Sequence, residues 1–362
     1  MRILHVIPSF GSGGAERVVL NYMIDWARFE DDEVAALALH SSKNSIFDQE
    51  IETRGLPVVY ANCVPGKKGQ IVAAIRRRIR EFKPDVVHSH QRVLPFVYLA
   101  ALGSKAKIAH TIHTDPEVHT AGKMKAFDAW CARRSKVTPI CLNRELAERA
   151  DRLYGVSKCE FLYNGVDLKR YRTLSRAEIE AKRVEIGAAA DDFIVGHVGR
   201  FVAIKNQPLL VKALARLLER RPNARLVLIG EGPEMDATKA LAAELGVAER
   251  VSFLGARTDV PELTQTFDVF ALPSSVEGLG IVLIEAQAAG LPCVVSEAIP
   301  EEAIVSKRVI RAKLTDSPDV WANAFEENRE TRESCNDIAL FDRPVVVDKL
   351  RGIYRSLVEG KR

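Results

Sequence analysis

The strongest constraint on this chain is an alternation. Short apolar, β-branched runs take turns with segments of helical period: RILHVIP then AERVVLNYMIDWA, EVAALALH then IFDQEIETRG, PVVYA then GQIVAAIRRRIREF, DVVHSH then LPFVYLAALG, KIAHTIH then TAGKMKAFDAWCARRS. Apolar runs this short and this continuous predict strands covered on both faces, and parallel pairing needs a crossover between them, which a helix supplies. The pattern therefore predicts an α/β architecture with parallel sheets. It pauses over residues 162–192, a polar stretch reading LYNGVDLKRYRTLSRAEIEAKRVEIGAAADD. It then restarts with the strands FIVGHVGR, ARLVLIGEG, RVSFLG, DVFALPS and PCVVSE, again separated by helical segments. A chain of 362 residues can bury two cores of ordinary size. The reading is two doubly wound domains joined near residue 168. Ligands of such sheets sit beyond the carboxyl ends of the strands, so two facing domains imply a cleft between them.

Composition narrows the class. With 47% hydrophobic residues and no low-complexity run, both halves have the means to fold. No apolar stretch reaches the roughly 18 residues of a membrane span. The start, MRILHVIPSF, enters a strand without the small-residue cleavage site of a signal peptide, so a cytoplasmic protein is expected. The six cysteines are widely spaced with no C-x-x-C, which favours reduced thiols over a disulfide frame or a zinc site. The net charge of +4 is unevenly placed: residues 1–170 hold 26 Lys and Arg against 19 Asp and Glu, the remainder 26 against 29. The basic excess gathers in IRRRIREFK, which contains Arg76 to Arg80, and in KMKAFDAWCARRSK, which runs from Lys123 through Arg134 to Lys136. Both read as amphipathic helices with either a solvated charged face or a face for an anionic membrane or a phosphorylated acceptor. No nucleic-acid partner is expected.

Three loops carry candidate chemistry. FGSGGAER places Gly13 and Gly14 after the first strand, where a bare backbone and the free N–H groups of a helix start suit an anion or polar ligand. It has neither the Lys-Ser/Thr of a P-loop nor a clean G-x-G-x-x-G, and a plain tight turn reads equally well. GHVGRFVAIKN stands in the equivalent place of the second domain, with Arg200 and Lys205 either as two exposed loop cations or as a guanidinium fork and a point charge suited to a diphosphate. The third is SSVEGLGIVLIEAQAAGLP. Between Leu279 and Gly290 only Glu285 and Gln287 are polar, which predicts a helix buried on most faces. An ionised Glu285 there needs partners: a salt bridge would serve, and so would the two hydroxyls of a ribose. Gly278 and Gly280, on either side of Leu279, would let phosphates approach the helix start. Read as continuous helix, Glu277 and Glu285 stand about 12 Å apart along the axis, beyond the roughly 5 to 9.5 Å of a glycosidase pair. They are expected to touch different parts of one extended ligand.

His88 and His90 in VVHSH share a strand face, but no third ligand stands at a recognisable spacing, so they read as strand-end polar groups and no metal is expected. No D-x-D follows a strand. Cations and helix N-termini are left to bind a diphosphate.

Taken together these motifs resemble the retaining glycosyltransferases of family 4. Glu277 and Glu285 with Gly278 and Gly280 between them, NGVD at Asn164 to Asp167, GGAER at the first helix, and GR with Lys205 stand in that family's order over essentially the whole chain. The resemblance implies the GT-B fold, two facing Rossmann-like doubly wound domains with an interdomain cleft. Residues 1–168 would bind the acceptor, residues 169–342 the donor, and a final helix at about 343–362 would cross back to the first domain. It implies that Glu285 binds the nucleotide ribose, Glu277 the hydroxyls of the donor sugar, and Arg200 with Lys205 the diphosphate. His113 in AHTIHTD matches the histidine beside the transferred sugar, with Gly13 and Gly14 facing the diphosphate. Leu254 and Gly255 would meet the base, with Gly230 of GEGP nearby. Two departures concern fine donor and acceptor detail: Thr114 separates His113 from Asp115, and Asn206 follows Lys205 where a glycine is usual.

The implied activity is transfer of a hexose or N-acetylhexosamine from a nucleotide-diphosphate sugar, UDP-linked, to a glycan or polyprenyl-linked acceptor in surface polysaccharide assembly. No cofactor is expected, and contact with the inner face of the membrane would be peripheral. Two other readings remain. An NAD(P)-dependent oxidoreductase suits two such sheets but lacks the dinucleotide fingerprint with an acidic residue about 20 positions on. A nucleotide-sugar-binding protein without catalysis differs only in turnover. A glycan phosphorylase is disfavoured by the short chain and by the absence of a recognisable pyridoxal-anchoring lysine.

Overall fold

A computed structural model of the chain describes residues 1–11, 13–113, 123–156, 159–171, 174–328 and 336–360. The chain divides into two compact units, Met1–Gly165 with Arg343–Arg362, and Val166–Asp342.

The first unit is built on seven strands, β1 (Arg2–Ile7), β2 (Glu33–Ala38), β3 (Val58–Tyr60), β4 (Val86–His90), β5 (Lys107–Ile112), β6 (Val137–Cys141) and β7 (Glu160–Phe161), in the spatial order β3-β2-β1-β4-β5-β6-β7. Every pairing is parallel. The second unit repeats the plan with β8 (Phe193–Val198), β9 (Ala224–Ile229), β10 (Val251–Phe253), β11 (Val269–Leu272), β12 (Cys293–Ser296) and β13 (Val309–Ala312), ordered β10-β9-β8-β11-β12-β13 and again wholly parallel. The winding reverses between β1 and β4 in one sheet and between β8 and β11 in the other. Those two crevices are where a doubly wound sheet offers a ligand site.

The expected α/β class is thus observed, and its physical basis is burial of the sheets on both faces. All five residues of β4, β6 and the first five of β8 are buried. One core cluster gathers Ile7, Phe10, Leu20, Met23 and Phe47 beside the first sheet. Another gathers Phe193, Leu210, Leu214, Leu228, Trp321 and Phe325 beside the second. The helix Lys68–Phe82 buries Ile71, Ile75, Ile79 and Phe82, a stripe four and three residues apart, and leaves Arg77 and Arg80 exposed. It stops at Lys83, which adopts φ +48 directly before Pro84, a residue that disfavours helical backbone in its predecessor.

Several elements were not legible in the alternation. β6 carries Pro139 opposite His110, and a proline in a short apolar run argues against a central strand. β7 has two residues, and β13 is only partly buried. Within the polar stretch 162–192 lies a helix, Arg176–Glu185, that buries none of its side chains and rests on a capping box between Ser175 and Glu178.

The helix Arg343–Glu359 packs Val346, Val347, Leu350, Tyr354 and Leu357 into the first unit. Arg343 holds Asp25 through two hydrogen bonds of 2.6 and 2.8 Å, and Arg351 reaches Asp32 at 2.7 Å. The five cysteines among the described residues are all free thiols. No helix among the described residues is long and apolar enough to cross a membrane.

Candidate active site

In the second unit the carboxyl-end loops of neighbouring strands are tied into one platform. After β8, the Gly199 N–H donates to the Ile229 carbonyl at 2.9 Å and the Phe201 N–H to that of Glu231 at 2.9 Å; after β9, the Gly230 N–H donates to the Gly255 carbonyl at 2.8 Å. Gly230 is required there. Its φ is +136, and a Cβ would stand 2.1 Å from the Gly199 oxygen. The loop that carries Arg200 and the segments holding Gly230, Leu254 and Gly255 are therefore held together through backbone contacts.

Across the crevice between β8 and β11, the loop of Lys205 meets the loop of Glu277. The Ser275 N–H donates to the Ile204 carbonyl at 2.8 Å, and Lys205 Nζ forms an ion pair with the Glu277 carboxylate, both side chains largely buried. Below them His197 donates from Nδ1 to the Ala271 carbonyl at 2.9 Å, and Gln207 Nε2 donates to the Arg200 carbonyl at 2.9 Å. Burial, with a lesser contribution from the Lys205 charge, pushes the His197 imidazole down to about 4. A neutral His197 thus ties β8 to β11, and Gln207 braces the Arg200 backbone.

Glu277 is not helical. The helix runs from Ile281 to Ala288, and Gly280 precedes it at φ +76, a left-handed turn that glycine enters without strain. The spacing of 12 Å expected from a continuous helix does not apply, because Glu277 to Gly280 form a loop. Glu285 is partly exposed, and the partner the sequence reading missed is Tyr171, whose hydroxyl bonds the Glu285 carboxylate. Burial first, then the Glu285 charge, raises the Tyr171 hydroxyl well above its ordinary range, so it stays a donor. Tyr171 lies four residues after Asp167 of NGVD, and only its proximity to that motif hinted at it. Gln287 is structural: it donates to the Leu283 and Ala303 carbonyls and accepts from the Val305 and Ser306 N–H groups.

In the first unit Gly13 caps the helix Gly14–Trp26 in extended conformation, without a side-chain cap. In the same sheet the structure corrects the reading of His88 and His90 as simple strand-end polar groups, His88 being the middle residue of β4. A third histidine, His5 of β1, lies opposite His88 in the register, and one nitrogen from each of the three rings falls within 4.8 Å of the others. All three are fully buried. The signal was hidden because the residues stand 83 positions apart in sequence. His88 is engaged at both nitrogens, with the Tyr354 hydroxyl and with Thr111 Oγ1 at 2.7 Å. His5 Nδ1 faces His90 Nε2 at 2.9 Å, and His90 Nδ1 faces His113 Nε2 at 3.1 Å. Burial pushes His5 down to about 3, and burial together with the neighbouring imidazoles holds His88 and His90 well below their ordinary value. The cluster is a neutral, hydrogen-bonded array.

In the same unit an apolar groove of about 550 Å³ is lined by Val72, Ala73, Phe96, Leu99 and Phe127, with Lys68 and Arg76 among its walls. Arg134 stacks 3.7 Å from the ring of the exposed Trp130 nearby in sequence.

A family model described as Glycosyltransferase Family 4 matches residues 12–170, and one described as Glycosyl transferases group 1 matches residues 178–339. The chain is 33% identical to EpsF of Bacillus subtilis over 341 residues, 90% of this chain and 86% of that one. It is 25% identical to an Escherichia coli UDP-Gal:alpha-D-GlcNAc-diphosphoundecaprenol alpha-1,3-galactosyltransferase, covering 87% of this chain and 86% of the other. Among solved structures it is similar to Anabaena Alr3699/HepE, crystallised with UDP and glucose, at a TM-score of 0.85 and 22% identity over 98% of this chain and 100% of that one. Two wholly parallel doubly wound sheets, a cationic loop bonded to a Glu277 loop at the second switch point, and these likenesses converge: the chain belongs to the family 4 glycosyltransferases and has the GT-B fold.

Proposed function

We propose that the protein is a retaining, metal-independent transferase that moves a hexose or N-acetylhexosamine from a UDP-sugar to a glycan or polyprenyl-linked acceptor in surface polysaccharide assembly. The observation that carries the donor assignment is the Arg200–Lys205 loop meeting Glu277 at the switch point of the second sheet. Arg200 and Lys205 bind the diphosphate, and their charge counts for more as negative charge grows on the departing phosphate. Glu277 accepts hydrogen bonds from the sugar hydroxyls, leaving its ion pair with Lys205 as the phosphate arrives. Glu285, oriented by Tyr171, accepts from the ribose hydroxyls. The platform at Gly230, Leu254 and Gly255 receives the base, Gly13 and Gly14 approach the diphosphate, and His113 hydrogen-bonds the transferred sugar. No carboxylate in these motifs is assigned as a nucleophile on the far face of the ring. The bond to the leaving group breaks with an oxocarbenium-like sugar, and the departing phosphate oxygen takes the acceptor's proton on the same face.

The relatives' names support a UDP-sugar donor and a diphosphoundecaprenol-linked acceptor. The apolar groove beside Lys68 and Arg76 supports peripheral contact with an anionic membrane on the cytoplasmic side. The test is stereochemical. An α-linked UDP-sugar should give an α-linked product, read by proton NMR as it forms. A β anomeric signal, or a glycosyl-protein adduct trapped in mass spectrometry, would overturn the same-face mechanism.

A further inference from the structure

We propose that Gln207, held in place by His197, is a positioning residue for donor binding: it fixes the turn that presents Arg200 to the diphosphate. The proposal rests on the reading of Arg200 as a diphosphate-binding cation, and goes beyond it by naming the side chains on which the place of that cation depends.

The segment from Gly199 to Asn206 joins β8 to the helix Gln207–Leu218 and carries both Arg200 and Lys205. On one side the Gly199 and Phe201 N–H groups tie it to the carbonyls of Ile229 and Glu231. Between them the Arg200 carbonyl accepts from the Val202 N–H at 2.9 Å, closing a three-residue turn, and from Gln207 Nε2 at 2.9 Å. Gln207 opens a helix that buries Leu209, Leu210, Val211, Leu214 and Leu217, so the second bond ties the turn to a firmly packed element. Asn206, in the place where a glycine is usual, has φ +53, a left-handed conformation that asparagine tolerates. The entry into the helix is thus kept, and with it the reach of Gln207.

The direction of each hydrogen bond follows from the groups themselves. A carbonyl only accepts, so His197 carries its proton on Nδ1, which faces the Ala271 carbonyl at 2.9 Å. The ring is fully buried and neutral, so its Nε2 is bare. Gln207 Nε2 stands 3.4 Å from that nitrogen and 2.9 Å from the Arg200 carbonyl. An amide nitrogen has two hydrogens, and these two acceptors use both. Turned over, the amide would set its oxygen against a carbonyl oxygen and a bare ring nitrogen. The chain of contacts Ala271, His197, Gln207, Arg200 therefore has one orientation for every group. Gly199 leaves room for it, since a Cβ there would come 2.9 Å from His197 Nε2.

The brace matters because a guanidinium grips phosphate best when its fork meets two oxygens at once, and a small displacement of the turn spoils that geometry. An apolar side chain at position 207 would leave the Arg200 carbonyl with the Val202 N–H and cut the turn loose from the helix.

The test measures UDP and uridine binding to the full chain by calorimetry, in wild type, Gln207→Met, Arg200→Ala and the double variant. Gln207→Met should lose about fivefold in UDP affinity, the effect of roughly one neutral hydrogen bond, and less than about twofold in uridine affinity. Added to Arg200→Ala it should cost nothing further, because it acts through Arg200. A change that merely loosened the domain would weaken both ligands alike. Unchanged UDP affinity in Gln207→Met, equal losses for UDP and uridine, or additive losses in the double variant would overturn the proposal. If Gln207→Met fails to fold, Gln207→Glu, which keeps the shape and puts an oxygen where the donor was, takes its place. Long-range proton–nitrogen correlation on the 15N-histidine-labelled chain at pH 7.5, with His197 assigned by the signal lost in His197→Phe, should show a protonated Nδ1 and a bare Nε2. A protonated Nε2 would turn the Gln207 amide over and overturn the brace. Arg200→Ala with unchanged UDP affinity would refute the diphosphate reading of Arg200, while the His197 signals still report the brace.

Discussion

Acidification from pH 7.5 to 5.5 should weaken the first unit far more than the second. Burial pushes His5 down to about 3 and His110 to about 4, and holds His88 and His90 well below their ordinary 6.5, all in the first unit. The second unit has one such group among the described residues, His197, at about 4. Above pH 6.5 both the folded and unfolded chains hold these rings neutral, and they contribute nothing to the pH dependence. Below it the unfolded chain takes up protons that the folded chain refuses, so stability falls as the pH drops from about 6.5 toward the folded values. One unit below the unfolded value, each ring costs about 1.4 kcal/mol, a size set by the unfolded side and insensitive to how far the folded value is depressed. Four rings cost on the order of 5 kcal/mol. Asp128 acts in the opposite sense: burial raises it to about 6, so the folded chain binds its proton first and offsets about 1 kcal/mol. The paired carboxylates Asp32, Asp48 and Glu50 are depressed below ordinary values near 4, and their loss begins below this window. The net expectation is roughly 4 kcal/mol lost in the first unit against about 1 in the second. Urea unfolding followed by tryptophan fluorescence tests it, with Trp321→Phe leaving only Trp26 and Trp130 of the first unit to report. At a slope of about 2 kcal/mol per molar the first-unit midpoint should move down by about 2 M urea. A first-unit midpoint that does not move, or an equal shift in the second unit, would refute the reasoning.

Three further outcomes are expected. Lys205→Ala should weaken UDP binding roughly tenfold by calorimetry while Glu277→Gln leaves it nearly unchanged and abolishes turnover of the whole donor; equal losses of UDP affinity would contradict the division of roles. Tyr171→Phe should lower stability by about 1 kcal/mol and Glu285→Gln should lower affinity for free UDP; a Glu285→Gln profile matching that of Glu277→Gln would refute the ribose assignment. Binding to anionic vesicles should be salt-sensitive and fall on Arg77→Glu with Arg80→Glu, by about 1 kcal/mol for each well-placed charge removed; equal sedimentation of wild type and variant with neutral and anionic vesicles would leave Arg77 and Arg80 as a solvated face.

Much of the fold could be read in the sequence because parallel strands buried on both faces leave a local signature, and β1, β4, β8 and β11 show it in full. Where that signature fails, the reason is local too: Pro139 stands within β6, where a proline is not expected, and the helix Arg176–Glu185 has no buried stripe to give a period. The candidate donor residues were legible through their order along the chain, but their mutual contacts were not. Nothing local says that Lys205 pairs with Glu277, 72 residues away, or that Tyr171 holds Glu285. The histidine line shows the limit most clearly. His88 and His90 alternate on one strand and invite attention, whereas His5 joins them only because β1 lies beside β4, a fact of topology that no window of sequence contains.

The helix Arg343–Glu359 has a consequence for how the chain is made. Synthesis proceeds from the N-terminus, and domains ordinarily fold in that order as they emerge. Here residues 166–342, a contiguous unit, are all delivered before the ribosome adds the helix whose Arg343 and Arg351 hold Asp25 and Asp32 and whose Tyr354 closes over His88. The unit begun first is completed last: until that helix has been made, the seat for Val346, Leu350 and Tyr354 stays uncovered. A nascent chain arrested at residue 342 would already hold every residue of the second unit and still lack one wall of the first.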